Sequence, residues 1–443
     1  MKKEYYFKAG LKDIAVGVVF LLFLYQDALA CHVSKVFTYF DELEAVAAFM
    51  FFIIYCAWNG FAVPVKNKKL ILAFGAFLLC GILGNFKSGF QTLGYILLDL
   101  VTCSKLFLNF VLFQKLFCSR QGKNIEQTVY LISRISIVIL FLLVIHEYIF
   151  PPIFPYLEDR YNIHSLKLFF SNQTYLAETG IYLLLTVTVV GKRNSKNRLL
   201  KIMAICIAAS TMRTKALGFL AVYIMFQVIP AIRNKRKIFF CLWIAGILCI
   251  AVGHEYIYYY FLGESARMSP RKMLLMDSID IAKRYFPVGS GFGTFCSGAA
   301  NLSGSRIYTE YYGNRVYPFN DMFWACVIGQ FGFLGFCFFL KCVYEIIISI
   351  INCRGTLKES YYGMLLYVVY LLIATLGECS FFAPYSNLFG LTIGYFISTR
   401  RYEEIRNMIE KYLPLKTIRG GVEFLPSSIN CKFVYTQLVG CVL

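Results

Sequence analysis

The sequence predicts an all-α integral membrane protein with about twelve transmembrane helices. Hydrophobic residues make up 58% of the 443 residues and charged residues only 16%, and the mean hydropathy is +0.62. Such a chain has too few polar side chains to cover its surface in water. Its apolar stretches also approach the roughly 20 residues that a helix needs to cross a bilayer core ~30 Å thick. A soluble fold is therefore excluded.

Short polar connections separate twelve predicted spans, which together form a single integral membrane domain, 1–443. The predicted spans are 13–30, 44–63, 70–85, 91–113, 127–147, 173–190, 199–212, 216–232, 238–255, 321–345, 361–378 and 386–399. The connections on one side hold 27 Lys and Arg residues, and those on the other hold 13, of which seven lie in the long connection 256–320. Because basic short loops face the cytoplasm, both termini are predicted to be cytoplasmic and 256–320 extracytoplasmic.

Both ends of the chain allow two interpretations. The first apolar run leads to Ala28-Leu29-Ala30, which resembles a signal-peptide cleavage site, although an uncleaved first helix gives the same orientation to every later span. The cytoplasmic tail, about 400–443, begins with a basic amphipathic pattern. That pattern indicates either a helix on the inner membrane surface or a solvated tail.

Neither metal ligands nor cofactor motifs are recognisable in the sequence. The sixteen cysteines are scattered singly, mostly within apolar stretches, and the four histidines are isolated. We therefore predict no disulfide framework, no metal and no cofactor. The net charge of +19 resides mainly at the ends of predicted spans, so we interpret it as membrane orientation and expect no nucleic-acid partner.

Charged residues inside the predicted spans are expected to face the bundle interior or a polar cavity, because each costs at least ~2.5 kcal/mol in lipid on insertion scales. Asp99 and Lys105 are six residues apart and so lie on different helix faces. We expect them to have separate partners. Lys341 and Glu345, four residues apart, are predicted to form a helical ion pair. Arg134, Glu178 and Lys341 are further charged residues for which we expect an interior position.

The tight connection between the seventh and eighth predicted spans carries two cations, Arg213 and Lys215, on the predicted outer side. Long basic side chains can reach the membrane interface without any further role. However, the planar guanidinium of an arginine also matches a phosphate group, which it can bind through two parallel hydrogen bonds. Arg213 is therefore a candidate phosphate ligand.

In the long outer connection, Ser269 and Pro270 have the residue types of a helix N-cap and first helical position, and we predict a helix to about Phe286. Arg271 then lies in the first turn, where a cation opposes the helix dipole unless an anion binds there. Arg267 lies just before this helix and Arg284 lies on its polar face.

After Pro287 the chain has glycine at every second position: Gly289, Gly291 and Gly293. A nucleotide-binding loop is excluded, because no βαβ unit surrounds it and it is predicted to face away from the cytoplasm. Instead, the glycines predict close approach of the backbone to a ligand or to a neighbouring helix. Tyr312 belongs to an aromatic group near the end of this connection.

In these features the chain resembles the bacterial O-antigen and capsular polysaccharide polymerases of the Wzy type, which are related to the O-antigen ligases. The resemblance covers most of the chain. It rests on the Ser/Thr-x-Arg-Thr pattern ending in Arg213-Thr214, on the stretch RKMLLMDSIDIAKRYFPVGSGFGTF, and on NDMFWACVIGQFGFLG. The stretch YFDELEAV before the second predicted span is similar to Gram-positive and related members.

The resemblance implies a glycosyltransferase C-like fold in the bacterial cytoplasmic membrane and a metal-independent, inverting reaction. The substrates would be polyprenyl-pyrophosphate-linked glycans, and a flippase and a chain-length regulator would be functional partners. With the local chemistry, it assigns Arg213 and Arg271 to the pyrophosphate and Arg267 to the same group or to the acceptor. We also assign Arg284, Tyr312 and the three glycines to substrate binding.

The chain departs from its ligase-like relatives at the entry to the tenth predicted span. Those relatives often have a histidine just before the asparagine, whereas this chain has Phe319-Asn320-Asp321. The role of that histidine cannot be transferred. Asp321 is our candidate general base, and a helix-capping carboxylate is the alternative. Ligase-type glycan transfer and a lipid-linked oligosaccharide flippase remain the alternative functions.

Overall fold

The computed structural model describes residues 11–58, 68–116, 122–156, 159–160, 163–190, 195–228, 258, 269–312, 322–353 and 358–412. The chain divides into two compact units, Met1–Tyr402 and Glu403–Leu443. Helices dominate the described residues, and two short antiparallel strands form the only sheet among them.

The first half of the chain contains helices α1 to α9. Their bounds are α1 Leu11–Leu24, α2 Gln26–His32, α3 Phe40–Trp58, α4 Lys68–Ser88, α5 Leu93–Leu116, α6 Gly122–Ile149, α7 Gln173–Val190, α8 Ser195–Ala209 and α9 Thr214–Val228. A 3-10 helix, Lys35–Tyr39, precedes α3, and strands β1 Asp159–Arg160 and β2 Ile163–His164 lie between α6 and α7.

The second half continues with α10 to α15. These are α10 Pro270–Arg284, α11 Gly298–Ser303, α12 Arg306–Tyr312, α13 Phe323–Ile351, α14 Lys358–Ala374 and α15 Tyr385–Tyr412. Helices therefore occupy most of the described part of the predicted spans, and span ends such as 91–92, 210–212 and 375–378 are not helical. The ninth predicted span, 238–255, lies outside the described residues.

Several helices have the length and composition of membrane spans. Within the described residues, α4, α13 and the segments 93–114 and 125–149 of α5 and α6 are long and apolar enough to cross a bilayer. Helices α1 and α2 together pass the same test but are bent by 70°, so they form either a broken span or a re-entrant segment. The apolar helices indicate a membrane protein.

The outward faces of these helices carry many large apolar side chains. On α6, for example, Leu131, Ile135, Ile139 and Leu142 are all about half exposed in the bare chain. A row of large apolar side chains at helical spacing on the surface is unfavourable in water but is covered by lipid in a membrane. This exposure agrees with the membrane class derived from the composition.

Helix α13 is broken at Gly332, whose φ of 63° and ψ of −164° are not helical. The residues after Pro287 provide hydrogen-bond partners for the backbone at this break. The N–H of Ser290 donates to the C=O of Gly329 (3.0 Å), and the N–H of Leu334 donates to the C=O of Pro287 (3.1 Å). Backbone groups within a membrane need internal partners, and this loop supplies them.

The helix predicted at Ser269 and Pro270 is confirmed. Helix α10 begins at Pro270, has Ser269 at the N-cap position, and ends at Arg284, two residues before the predicted end. The Ser269 side chain makes no capping hydrogen bond, so the hydroxyl does not have the role that its position predicts. The fixed φ of proline and the second proline at position 287 account for both ends of the helix.

The charged residues in spans follow the prediction only in part. Asp99, Lys105 and Glu178 are buried, and Asp99 and Lys105 have separate partners, as predicted. Arg134 is exposed on α6, with its guanidinium 5.6 Å from the ring centroid of Tyr130.

The prediction of an interior position is therefore wrong for Arg134. It is also wrong for Lys341, whose side chain is 46% exposed, although Lys341 does form the predicted ion pair with Glu345 (2.6 Å). In both cases, a long flexible stem lets the charged group reach the surface of the helices.

Candidate functional site

Arg213 follows α8 in the tight connection to α9 and is held at the start of α7. Its guanidinium Nη2 donates to the side-chain oxygens of Asn172 (2.5 Å) and Gln173 (2.8 Å). Met212, just before it, has a left-handed φ of 49°, which turns the chain sharply between the two helices. Both amide partners are neutral, and together they fix the orientation of the guanidinium.

A second connection on the same side of the bundle fixes this turn. The Ser165 hydroxyl donates to the C=O of Thr211 (2.6 Å), and the N–H of Leu166 donates to the C=O of Ser210 (3.1 Å). Ser165 and Thr211 are completely buried. The backbone just before Arg213 is therefore held by two hydrogen bonds, and such preorganisation suits an anion site.

Lys215, two residues further on, lies between two carboxylates from different parts of the chain. Its Nζ is 2.9 Å from Oε1 of Glu178 on α7 and also pairs with Glu378, which follows α14. The Tyr385 hydroxyl, at the start of α15, donates to Glu378. One cation thus ties together α7, α9 and the connection between α14 and α15.

A cavity of ≈ 100 Å³ lies beside this ion-pair cluster. Polar groups reach it from several elements, and its remaining wall is aromatic and aliphatic. The polar and aromatic residues that line it include Asp27, Thr38, Tyr175, Glu178, Tyr182 and Tyr385. Carboxylates accept hydrogen bonds from hydroxyl groups, and aromatic faces pack against sugar rings. The cavity is therefore suited to a hydroxylated ligand such as a sugar.

Asp27 connects this cavity to the connection before α7. Its carboxylate accepts hydrogen bonds from the backbone N–H (2.8 Å) and the hydroxyl (2.6 Å) of Ser171. Asn172, the next residue, contacts Arg213. Asp27 and Arg213 are therefore joined through two consecutive residues, which places the cavity and the guanidinium in one polar region.

The cationic residues of the long outer connection are built on other helices. Arg271 lies half-buried in the first turn of α10. Arg284 is exposed in the last turn, with its guanidinium 4.5 Å from the ring centroid of Tyr311. Tyr312 is buried, and its hydroxyl donates to the backbone C=O of Asp277 (3.2 Å).

Tyr285, directly after α10, interacts with the same aromatic group. Its hydroxyl lies 3.0 Å from that of Tyr311, so the two phenols form a hydrogen bond. Burial, followed by this hydrogen bond, raises the pKa of the Tyr285 hydroxyl above its usual value. The phenol is therefore neutral at physiological pH and can donate a hydrogen bond but cannot act as a base.

The three glycines pack against neighbouring helices. Gly289, Gly291 and Gly293 all have positive φ (76°, 97° and 68°) and are buried. A Cβ on Gly289 would lie 2.4 Å from the backbone nitrogen of Gly332 on α13, and one on Gly291 would lie 2.3 Å from that of Asn85 on α4. The Gly293 N–H donates to the Asp99 carboxylate (2.7 Å). The glycines were predicted to allow close approach of the backbone either to a ligand or to a neighbouring helix. The structure shows close approach to neighbouring helices.

The predicted residues thus fall into two groups on different helices. Arg213 belongs to the region of α7, α8 and α9, whereas the glycines contact α4, α5 and α13. Arg267 and Asp321 lie outside the described residues. The proposed roles of Arg267 and Asp321 remain predictions.

Sequence reasoning did not assign the carboxylates of this region. Asp27 and Glu378 lie near the ends of predicted spans, where acidic residues are common, so nothing local distinguishes them. Their grouping depends on contacts between residues that are distant in sequence, such as the 144 positions between Asp27 and Ser171. Only the position of Glu178 inside a predicted span marked it as unusual.

No family model matches the chain, and no curated protein matches its sequence. The similarity to the Wzy-type polymerases therefore rests on the motifs quoted above and on the order in which they occur.

Proposed function

We propose that the chain is a polysaccharide polymerase of the bacterial cytoplasmic membrane. In this proposal it has twelve spans, a glycosyltransferase C-like fold and an extracytoplasmic connection at 256–320. It joins polyprenyl-pyrophosphate-linked oligosaccharide repeats at the outer face to build O-antigen, capsule or exopolysaccharide. Both termini are cytoplasmic, and a flippase supplies the substrate.

The main support is the region around Arg213 and the adjoining cavity. A guanidinium oriented by two neutral amides suits a pyrophosphate, because its charge is positioned before the anion arrives. The cavity beside it offers carboxylates and aromatic rings, which suit a sugar. In a lipid-linked glycan the pyrophosphate is attached to a sugar. Its binding site therefore needs a cation for the phosphates close to a cavity for the sugar.

The proposed reaction transfers one glycan chain to another. A hydroxyl oxygen of the acceptor repeat attacks the anomeric carbon of the donor, and the bond from that carbon to the phosphate oxygen breaks. Polyprenyl pyrophosphate leaves with the bonding electron pair, and the hydroxyl proton passes to a carboxylate. Arg213 stabilises the charge on the leaving group in place of a metal, and Arg271, which lies on a different helix, is assigned the same role by the resemblance alone. The configuration at the anomeric carbon is inverted.

Glycan length on cells that lack the chain tests this proposal. The cells are complemented with wild type, Arg213→Ala or Arg271→Ala at matched protein levels, and lipid-linked and surface glycans are separated by size. A polymerase predicts that single repeats accumulate on lipid at the outer face in the null strain and in both variants. Long unattached chains would instead indicate a ligase.

The general base is tested separately. Asp321→Asn preserves the size of the side chain but removes its ability to accept a proton at neutral pH. We expect short glycans at normal protein level. Full polymerisation by this variant would eliminate Asp321 as the base and make a carboxylate of the cavity, such as Asp27, the next candidate.

A flippase for lipid-linked oligosaccharides is the second candidate, and one observation favours it. The buried pair of Asp41 and Lys105 shows that charges occur deep among the helices, as they do in many transporters. The same glycan experiment separates the two functions. Repeats trapped at the inner face of the null strain would support the flippase and contradict the polymerase.

A further inference from the structure

The first two turns of α3 carry three carboxylates, Asp41, Glu42 and Glu44, and a single lysine from α5 lies among them. Asp41 and Lys105 are almost completely buried and form an ion pair, and Lys105 is also 4.0 Å from Glu42. Glu44 has no ion-pair partner among the described residues, although it lies beside the same group. The cluster therefore has more negative than positive charge in a largely buried position.

Three buried amides surround these carboxylates, and all of them donate to carboxylate oxygens. Asn109 on α5 and Asn387 on α15 each donate to Oε2 of Glu44 at 2.9 Å. Gln26 on α2 donates to Oδ1 of Asp41 at 2.7 Å. The two asparagines are 0% exposed and the glutamine 5%.

The oxygens of these same amides have no partner within the described structure. Oε1 of Gln26, Oδ1 of Asn109 and Oδ1 of Asn387 are all buried without a hydrogen bond. Buried acceptors are almost always satisfied, so three in one cluster require an explanation. Turning the Asn109 and Asn387 amides over would not help, because it would place their oxygens against the Glu44 carboxylate. A flipped amide therefore does not account for either asparagine oxygen, and both are available as ligands.

Carboxylate and amide oxygens are the ligands that hard cations prefer. The described residues contain no group of three or more His, Cys, Asp and Glu side chains that could hold a metal ion, so a carboxylate-rich divalent site is not built. With Asp41 paired to Lys105, an ionised Glu44 would offer the ion one negative charge, and two amide oxygens accompany it. That combination suits a monovalent cation.

The cluster is also reachable from the cavity described above. Gln26 lines that cavity, together with Thr38, whose C=O accepts a hydrogen bond from Gln26 (3.2 Å). Gln26 therefore connects the cluster to the cavity.

We propose that Glu44, Asn109 and Asn387, with Gln26 at the cavity wall, bind a sodium ion. The ion would neutralise the carboxylate and engage the amide oxygens, locking α3, α5 and α15 together. This inference does not depend on the proposed function, because it concerns binding alone.

Direct binding of ²²Na⁺ to the purified full-length chain in nanodiscs tests the proposal. We expect saturable binding that unlabelled sodium displaces and choline does not. Because binding to the folded state stabilises it, the Tm in NaCl should exceed that in choline chloride at equal ionic strength and increase with sodium concentration. Absence of saturable binding together with equal Tm values would overturn the proposal.

Two isosteric variants locate the site. Glu44→Gln removes the charge and Asn387→Leu removes the amide oxygen, and both should abolish sodium-dependent stabilisation. Glu345→Gln is the matched control, because it removes a carboxylate from an ion pair on α13 and should retain the sodium effect. If Glu44→Gln responds to sodium like wild type, the ion does not bind here. Should a variant fail to fold, the wild-type binding measurement still decides the question.

Discussion

Arg213 is the residue whose geometry depends most on the shape of its side chain. Its guanidinium Nη2 contacts two amide oxygens at once, and a lysine ammonium at that position lacks the planar fork that also matches a phosphate. We expect Arg213→Lys to reduce polymerisation roughly 100-fold, as loss of a preorganised charge donor does. Elongation of lipid-linked repeats in membrane vesicles measures this loss.

The control for Arg213→Lys is Arg134→Lys, because Arg134 is exposed on α6. That variant should elongate glycans like wild type. If both variants were equally active, a simple positive charge would be sufficient and the oriented guanidinium would have no role in binding the leaving group.

The ion pairs of Lys215 lead to a prediction about the stability of the fold. Lys215→Met leaves Glu178, 3% exposed, and Glu378 facing each other without a cation. Removing one partner of a buried ion pair typically costs about 3–5 kcal/mol of unfolding free energy. Lys341→Met breaks a pair in which the lysine is 46% exposed, and should cost at most about 1 kcal/mol. Thermal unfolding in detergent compares the two, and equal Tm values would contradict the structural role of Lys215.

The break in helix α13 at Gly332 leads to a prediction about a single helix. In Gly332→Ala, the new Cβ would lie 2.5 Å from the backbone oxygen of Pro287, at a φ of 63° and ψ of −164° that only glycine adopts readily. The backbone strain alone costs about 1–3 kcal/mol, and the clash adds to it. Gly75→Ala on α4 meets no atom within 4 Å and should be neutral or stabilising by about 0.5–1 kcal/mol. A Tm for Gly332→Ala equal to that of Gly75→Ala would mean that the kink is not required.

Elements with local signals were predictable, and those that depend on distant contacts were not. Helix α10 follows from Ser269, Pro270 and Pro287, all of which act within a few residues. The 70° bend between α1 and α2 lies at Tyr25, and a tyrosine does not predict a bend as a proline or glycine would. Alternating glycines predicted close approach, but the choice between ligand and helix required the structure.

At the scale of the whole molecule, the connections predicted on the outer side contact one another. His32 lies 2.7 Å from the C=O of Phe169, and Lys87 donates to the C=O of Phe286 (2.8 Å). Composition and the distribution of basic residues predicted the class and the grouping of these connections. They could not predict the partners of buried charges. Asp41 and Lys105 are 64 positions apart, and no local pattern in the sequence marks them as a pair.

The orientation of the whole chain is the last prediction, and single cysteines test it. With the termini in the cytoplasm, Val33→Cys and Ile163→Cys lie outside, and both positions are exposed. Lys69→Cys and Arg198→Cys, also exposed, lie inside. A membrane-impermeant maleimide, scored above the background of the native cysteines, should label the first pair in intact cells and the second pair only after permeabilisation. The opposite pattern would place Arg213 and the cavity in the cytoplasm. Lipid-linked repeats would then be out of reach at the outer face, and polymerisation there would be physically impossible for this chain.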